Sequence, residues 1–278
     1  MNDNEVVIKG GLGNQLFCLF YAYKIYLKLN KKVSLNLTNY FFSKRKDRSF
    51  ILERLYPKLF IDFKKSDSLF SILIYIYAKF HEKIFIRQQS NRLPGDNPFV
   101  INYWPNKFIH SGYYQKVNSS DLDNSALSLM KKKINPLLIT TRLNLLAIHF
   151  RRGDYLLKKH SMHGIILDEY LYKEAKIIIK ENDYDGITIF SDSINLIDIK
   201  KFESLHKNII IDKGGDPLDV FKRMLNHKGL IASNSSFSLW AGLLGNMDNF
   251  SIPYFWMRNI KSELIGLENI KRFDCNIK

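Results

Sequence analysis

Leu145-Leu146-Ala147-Ile148-His149-Phe150-Arg151-Arg152-Gly153-Asp154-Tyr155 reads as a buried strand that ends abruptly in charge. Apolar residues lead, and then a histidine, two arginines and a carboxylate arrive between positions 149 and 154. A strand alternates faces, so His149 and Arg151 share a side while it continues. In open α/β sheets ligands bind beyond the carboxyl ends of strands, and this stretch has the composition expected there.

The chain downstream supplies the rest of such a sheet. Asp168–Glu181 has helical amphipathicity, Ile187–Phe190 is a strand, Asn195–Leu205 a helix and Ile209–Ile211 a strand. Asp216-Pro217 opens another helix, with Asp as the cap and Pro in the first turn, running to Asn226. Gly229–Ala232 is a strand and Ser236–Leu244 a helix. Repeated βα units predict a parallel sheet covered on both faces.

Upstream, Asn135–Arg142, with Pro136, reads as an interdomain linker, preceded by a helix over Leu122–Ile134. That helix ends in Lys131–Lys133, which suit the negative end of its dipole. The N-terminus reads strand, loop, helix, strand: Val6–Ile8, Gly10–Gly13, a helix capped by Asn14 and running to Asn30, and Val33–Leu37. The expected class is α/β, with two Rossmann-like domains, residues 1–135 and 143–278, facing a cleft. Between Tyr40 and Tyr114 the pattern is broken by Pro57, Pro94, Pro98 and Pro105, and reads as short helices and irregular segments, with a strand over 109–115 running into a loop.

Composition narrows the function classes. Of 278 residues, 46% are hydrophobic and 25% charged, which excludes disorder, collagen and coiled coil for the whole chain. Cys18 and Cys275 are too few for a disulfide scaffold or a cysteine-only zinc site; Cys18 reads as a small core residue of the first helix. Leu69–Ala78 is apolar but far short of the ~20 residues of a membrane span, and reads as a core helix. Met1–Glu5 opens with acids rather than the basic residues of a secretory signal. The expectation is a cytoplasmic protein, soluble or peripheral on the inner face of the membrane. The net charge of +15 favours anionic partners: nucleic acid, anionic lipid or a phosphorylated substrate.

Four strand ends carry the candidate chemistry. Gly10-Gly11-Leu12-Gly13-Asn14-Gln15 can bring backbone close to a phosphate or sugar. It departs from a dinucleotide fingerprint, because Leu16 stands at the third glycine and no acid follows the second strand. Arg151 and Arg152 offer planar forks for phosphate, with Asp154 placed to orient a guanidinium or accept a proton. Ser191-Asp192-Ser193 can meet a ribose or base edge, or cap a helix. Ser233-Asn234-Ser235-Ser236 precedes a helix whose first N–H groups favour an anion, with simple capping as the plainer reading. Asp183-Tyr184-Asp185 precedes a strand and reads as a surface loop rather than a metal ligand pair.

In this order, GGLGNQLF, HFRRGDY, IFSDS and ASNSSFSLWAGLL resemble the bacterial α-1,2-fucosyltransferases of glycosyltransferase family 11. Tyr113-Tyr114-Gln115 resembles that family's aromatic-Gln segment. Ser193 and Leu239 stand where the family usually has Asp and Trp. The resemblance implies a GT-B-type fold, GDP-β-L-fucose as donor, inversion, no metal or other cofactor, and a galactose 2-hydroxyl as acceptor.

It further implies roles by motif position. Arg151 binds the β-phosphate and stabilises the leaving group; Arg152 positions the loop; His149 contacts the nucleotide or orients Arg151. Ser191 and Asp192 serve the guanosine. Asn234, Ser235, Ser236 and Phe237 line the phosphate and fucose pocket. Gly11, Gly13 and Asn14 close the site from the first domain, which takes the acceptor. Asp154 is the first candidate for general base, with an arginine salt bridge as its equal alternative, followed by His163 and Asp168. Family acceptors are often lipid-linked oligosaccharides of surface polysaccharide. Lys44-Arg45-Lys46 and Lys131–Lys133 could then face a membrane, although solvated surface is the plainer reading. The rivals are a GDP-fucose transferase of α-1,6 linkage, a basic nucleic-acid binder, and a sugar-binding protein that has lost turnover.

Overall fold

The structure, a computed structural model, describes residues 3–41, 49–66, 69–88, 99–104, 107–115, 117–118, 120–136, 141–157, 162–258, 260–262, 265–266 and 270–278. Lys44-Arg45-Lys46, Pro94, Pro98, Pro105 and residues 137–140 of the expected linker lie outside them. The chain forms two compact units, Met1–Asn135 and Pro136–Lys278.

Unit 1 holds β1 (Asp3–Val7), α1 (Leu12–Leu29), β2 (Ser34–Asn36), α2 (Thr38–Phe41), α3 (Leu52–Leu55), α4 (Leu59–Asp62), β3 (Lys64–Ser66), α5 (Leu69–Gln88), β4 (Phe99–Trp104), β5 (Lys107–Ser111), β6 (Val117–Asn118) and α6 (Asp121–Lys133). Its sheet has the order β3-β2-β1-β5-β4, parallel except for β4. Repeated βα units predict an all-parallel sheet, and β4 departs from it. Only two residues separate β4 from β5, too few for a crossover, so the pair closes as a hairpin.

Two further expectations for this unit are corrected. Asn14 does not cap α1: the helix starts at Leu12, with the extended backbone of Gly11 as its N-cap and no side-chain cap bond. Its far end closes on Asn30 in the left-handed region, φ 50°. The Leu69–Ala78 stretch is indeed helical, but α5 buries one face only. Ile74 and Tyr75 pack on Val7 and Ile109, while Leu69, Leu73, Ile76 and Tyr77 stand exposed. Cys18 lies fully buried inside α1, as its apolar neighbours require.

Unit 2 holds β7 (Leu143–Phe150), α7 (Asp168–Glu181), β8 (Gly186–Ser191), α8 (Ile199–Glu203), β9 (Ile209–Ile211), α9 (Pro217–Leu225), β10 (His227–Ile231), α10 (Ser236–Leu244), β11 (Asn249–Pro253), the antiparallel pair β12 (Phe255–Met257) and β13 (Ile260–Lys261), then β14 (Ile265–Gly266) and β15 (Lys271–Phe273). The six-stranded sheet runs β15-β11-β10-β7-β8-β9, all parallel. Counted from β7, this is the doubly-wound 3-2-1-4-5-6 order, whose direction reverses between β7 and β10. One face packs Leu146, Ile148 and Phe150 against Leu171, Ala175 and Ile178 of α7.

Asp216 caps α9 by accepting the Leu218 N–H at 2.9 Å, with Pro217 at the helix start, as the sequence predicts. The helix expected over Asn195–Leu205 is instead a 3-10 turn at Ile194–Leu196 followed by the short α8. The Asp198 N–H between them is taken by the Asp168 carboxylate at 3.1 Å, so the backbone ladder does not run through. Asp183-Tyr184-Asp185 is not wholly surface. Tyr184 is buried under Gly229, where a Cβ would collide with its hydroxyl, and that hydroxyl accepts from Asn249 at 2.9 Å.

Candidate active site

The carboxyl ends of β7 and β10 meet where the strand order reverses. His149 on β7 and Ser233 beyond β10 are joined there, Nδ1 to Oγ at 2.7 Å. Burial first, then the two neighbouring guanidiniums, push the His149 ring down to about 3. It is therefore neutral at pH 7, and its Nδ1 either accepts from the Ser233 hydroxyl or donates to it, according to tautomer.

The sign of the pH effect follows. An unfolded histidine takes its proton near pH 6.5, which the folded chain refuses until about 3. Folding therefore loses stability as pH falls from about 6.5 toward 3, by up to ~1.4 kcal/mol per pH unit for one such group. We expect His149→Gln to flatten the fall in urea-unfolding free energy between pH 6 and 4. An unaltered slope would mean that the ring titrates normally.

Beyond β7 the chain makes a 3-10 turn over Gly153–Leu156. Arg151 sits between two carboxylates: Nη2 donates to Asp154 Oδ1 at 2.5 Å and Nη1 lies 2.7 Å from Asp192 Oδ2. Its guanidinium carbon is 5.1 Å from the centroid of the Tyr155 ring. Burial raises the Tyr155 phenol to about 12. It stays protonated and donates to the Asn234 carbonyl at 3.2 Å. The same ring stacks on His163 at 4.7 Å. Arg151 keeps about a third of its surface open to solvent, so it is a fixed cation with an accessible face.

Arg152 is a different kind of residue. It is 3% exposed and ion-paired with Asp168 at the start of α7. Its N–H donates to Asp192 Oδ1 at 2.8 Å. The two oxygens of Asp192 therefore serve Arg152 and Arg151 respectively. This geometry makes Asp192 a strut between the two arginines. Ser191 Oγ likewise accepts the Ser193 N–H at 3.0 Å.

Gly153 leaves the space that the strut needs. A Cβ on it would stand 2.5 Å from Asp192 Oδ2. Gly153→Ala should displace that carboxylate and with it Arg151. We expect the activity of the site to fall at least tenfold with the melting temperature nearly kept; wild-type kinetics would show that the strut is dispensable.

The segment after β10 closes the group. Asn234 is buried, and its Nδ2 donates to the carbonyls of His163 and Gly164 at 2.9 and 3.3 Å, while its Oδ1 has no hydrogen-bond partner among the described residues. Ser235 caps α10 by accepting the Phe237 N–H at 3.4 Å. Ser236 is the first residue of that helix. Phe237 packs edge-on to Phe221 at 5.3 Å and lies 6.1 Å from the His149 ring.

The predicted residues Asn234, Ser235, Ser236 and Phe237 are thus all placed at the β10 end. Sequence reasoning missed Tyr155 and Ser233 as ties between the two strand ends. It weighed Asp168 only as a base, not as the partner of Arg152.

Gly11, Gly13 and Asn14 lie in unit 1, at the matching reversal between β1 and β5. Gly10 adopts φ +83°, and a Cβ there would strike the Asn14 side chain at 2.8 Å. Asn14 Oδ1 accepts from Gln115 Nε2 at 3.1 Å, joining two of the singled-out segments. Gln15, fully buried, ties the loop down: Nε2 donates to Gly10 O at 3.2 Å and Ser49 O at 2.8 Å, and Oε1 accepts from Ile51 N–H at 3.0 Å.

Residues 4–264 match the protein family described as Glycosyl transferase family 11. An α-1,2-colitosyltransferase of Escherichia coli is 24% identical over 257 residues, 87% of each chain. Among solved structures, the NodZ α-1,6-fucosyltransferase soaked with GDP-fucose aligns over 88% of this chain and 92% of its own, at 9% identity and a TM-score of 0.47. The same enzyme co-crystallised with GDP gives 10%, equal coverage and 0.49.

Proposed function

The chain belongs to glycosyltransferase family 11, and on that premise we propose that it moves L-fucose from GDP-β-L-fucose to the 2-hydroxyl of a galactose, with inversion and without a metal, in surface polysaccharide synthesis. The observation that carries this reading is Arg151, clamped between Asp154 and Asp192 at the strand-order reversal of unit 2. In such a transfer the bond from fucose C1 to the β-phosphate oxygen breaks. The acceptor oxygen bonds C1 from the opposite face and passes its proton to water. Negative charge collects on the departing diphosphate, and a preorganised cation there lowers the barrier without reorganising. Arg151 supplies that cation, and the N–H groups at the start of α10 face the same strand ends. Unit 2 is then the donor domain, and unit 1, with Gly11, Gly13 and Asn14, the acceptor side.

Asp154 acts here as the holder of Arg151. Asp154→Asn should weaken GDP binding along with transfer. Full GDP affinity with transfer abolished would make Asp154 the general base instead. Titration calorimetry with GDP, beside a GDP-release assay, separates the two.

The α-1,2-colitosyltransferase relative favours a second reading, in which the donor sugar is colitose. The deciding experiment incubates the protein with each GDP-sugar, EDTA and a panel of β-galactosides, and determines the product linkage. Acceptor-dependent GDP release with an α1,2-fucosylated galactose supports the proposal. Turnover with the colitose donor alone selects the second reading, and an α1,6 product rejects the linkage. No release and no binding of either donor removes both readings.

A further inference from the structure

Helix α5 carries a stripe of large apolar side chains that stays open to solvent. Leu69 is 82% exposed, Leu73 64%, Ile76 53% and Phe80 62%, with Tyr77 beside them. Their 3,4 spacing puts them along one line of the helix. The opposite face is anchored, so the stripe cannot roll inward. Ser71 Oγ lies 2.6 Å from Ser66 Oγ, the Tyr75 hydroxyl donates to Asn39 at 2.8 Å, and Ile74 is in the core. Several large side chains in one contiguous exposed patch mark an interaction surface.

Charge says which kind. Residues 1–135 hold 22 Lys and Arg against 10 Asp and Glu, a balance of +12, whereas residues 136–278 hold 20 against 17, a balance of +3. Almost the whole basic excess thus belongs to the unit that carries the stripe, not to the unit that carries Arg151. Capture of a nucleotide by unit 2 does not account for it. Lys79 stands exposed within α5 itself, and Lys64 and Lys65 stand exposed on β3 just before it. In the sequence the same 3,4 spacing continues from Phe80 to Lys83 and Arg87. No helix among the described residues is long and apolar enough to cross a membrane. A helix with an apolar stripe and basic surroundings instead lies in the interface plane, with its apolar side chains among the acyl chains and its cations at anionic headgroups.

We propose that α5 docks unit 1 on the surface of an anionic phospholipid bilayer. This reading stands apart from the choice of donor or linkage.

The test is flotation of the full chain with vesicles of phosphatidylcholine alone or mixed with phosphatidylglycerol. We expect roughly tenfold stronger partition onto the anionic vesicles, weakened by salt as surface electrostatics are. Leu73→Ser combined with Phe80→Ser should abolish it while far-UV circular dichroism and GDP affinity stay as in the parent. Leu73→Trp should show a blue-shifted emission on binding. No flotation with either vesicle overturns the proposal. So does flotation that survives the double substitution, which would assign binding to the basic residues alone. A concentration-dependent dimer that the double substitution dissolves, seen by analytical ultracentrifugation, would make a second copy of the chain the occupant instead.

Discussion

Arg151→Ala should lower kcat by roughly 10²–10³-fold, the usual cost of removing one preorganised donor from a developing anion, and leave the fold almost untouched. Arg151 is about a third exposed, and so are the carboxylates of Asp154 and Asp192 on either side of it. Water can take over both partners when the guanidinium goes, so the change in stability should stay within about 1 kcal/mol. Arg151→Lys should recover little of the rate. An ammonium is a point charge and cannot span two carboxylates and a diphosphate oxygen as a planar fork does. Steady-state kinetics with whichever GDP-sugar turns over, next to a thermal melt, decides the matter. Activity within tenfold of the parent would remove Arg151 from the chemistry.

Its neighbour should behave in the opposite way. Arg152→Ala strips the partner from Asp168 and leaves a space where a 3% exposed side chain stood. Breaking a buried pair from one side costs about 3–5 kcal/mol; Asp168 retains some solvent contact, so ~3 kcal/mol is the expected loss. For a unit of this size that lowers the melting temperature by roughly 6–12 °C. The damage also spreads, because Asp168 accepts the Asp198 N–H ahead of α8. Folded enzyme assayed in the cold should keep kcat within tenfold of the parent. A dead variant with an unmoved melt would mean that Arg152 touches the substrate. Two adjacent arginines thus divide into one with a face open to solvent and one that ties the strand end to the start of α7.

Much of unit 2 was legible because its signals are local. Asp216-Pro217 states its cap and first turn, and short β-branched runs such as Ile209–Ile211 have few other uses. The site was legible as a set of strand ends, but not as a network. Nothing in HFRRGDY tells that Asp192 rather than Asp154 alone steadies Arg151, or that Arg152 finds its partner at Asp168. Those pairings are tertiary. In unit 1 the apolar run at Leu69–Ala78 has no charged residue to mark an open side, so a core helix was the natural expectation. Only the anchoring of Ser71, Ile74 and Tyr75 shows which face is turned outward. Asn14 has the chemistry of a cap, but the extended backbone at Gly11 starts the helix earlier and leaves the amide for Gln115.

The strand order of unit 2 also dictates when the site can exist during synthesis. β7 is among the first parts of the unit to be made, yet it pairs with β10, and His149 and Ser233 are 84 positions apart. Closing so long a segment costs chain entropy that local contacts must first offset. A nascent chain that has reached only α9 can pair β7 with β8 and give Arg151 its Asp192, but it lacks Ser233 and the start of α10. Until then the arginine pair stands on an open sheet edge, and the bond between His149 and Ser233 forms only with the seating of β10.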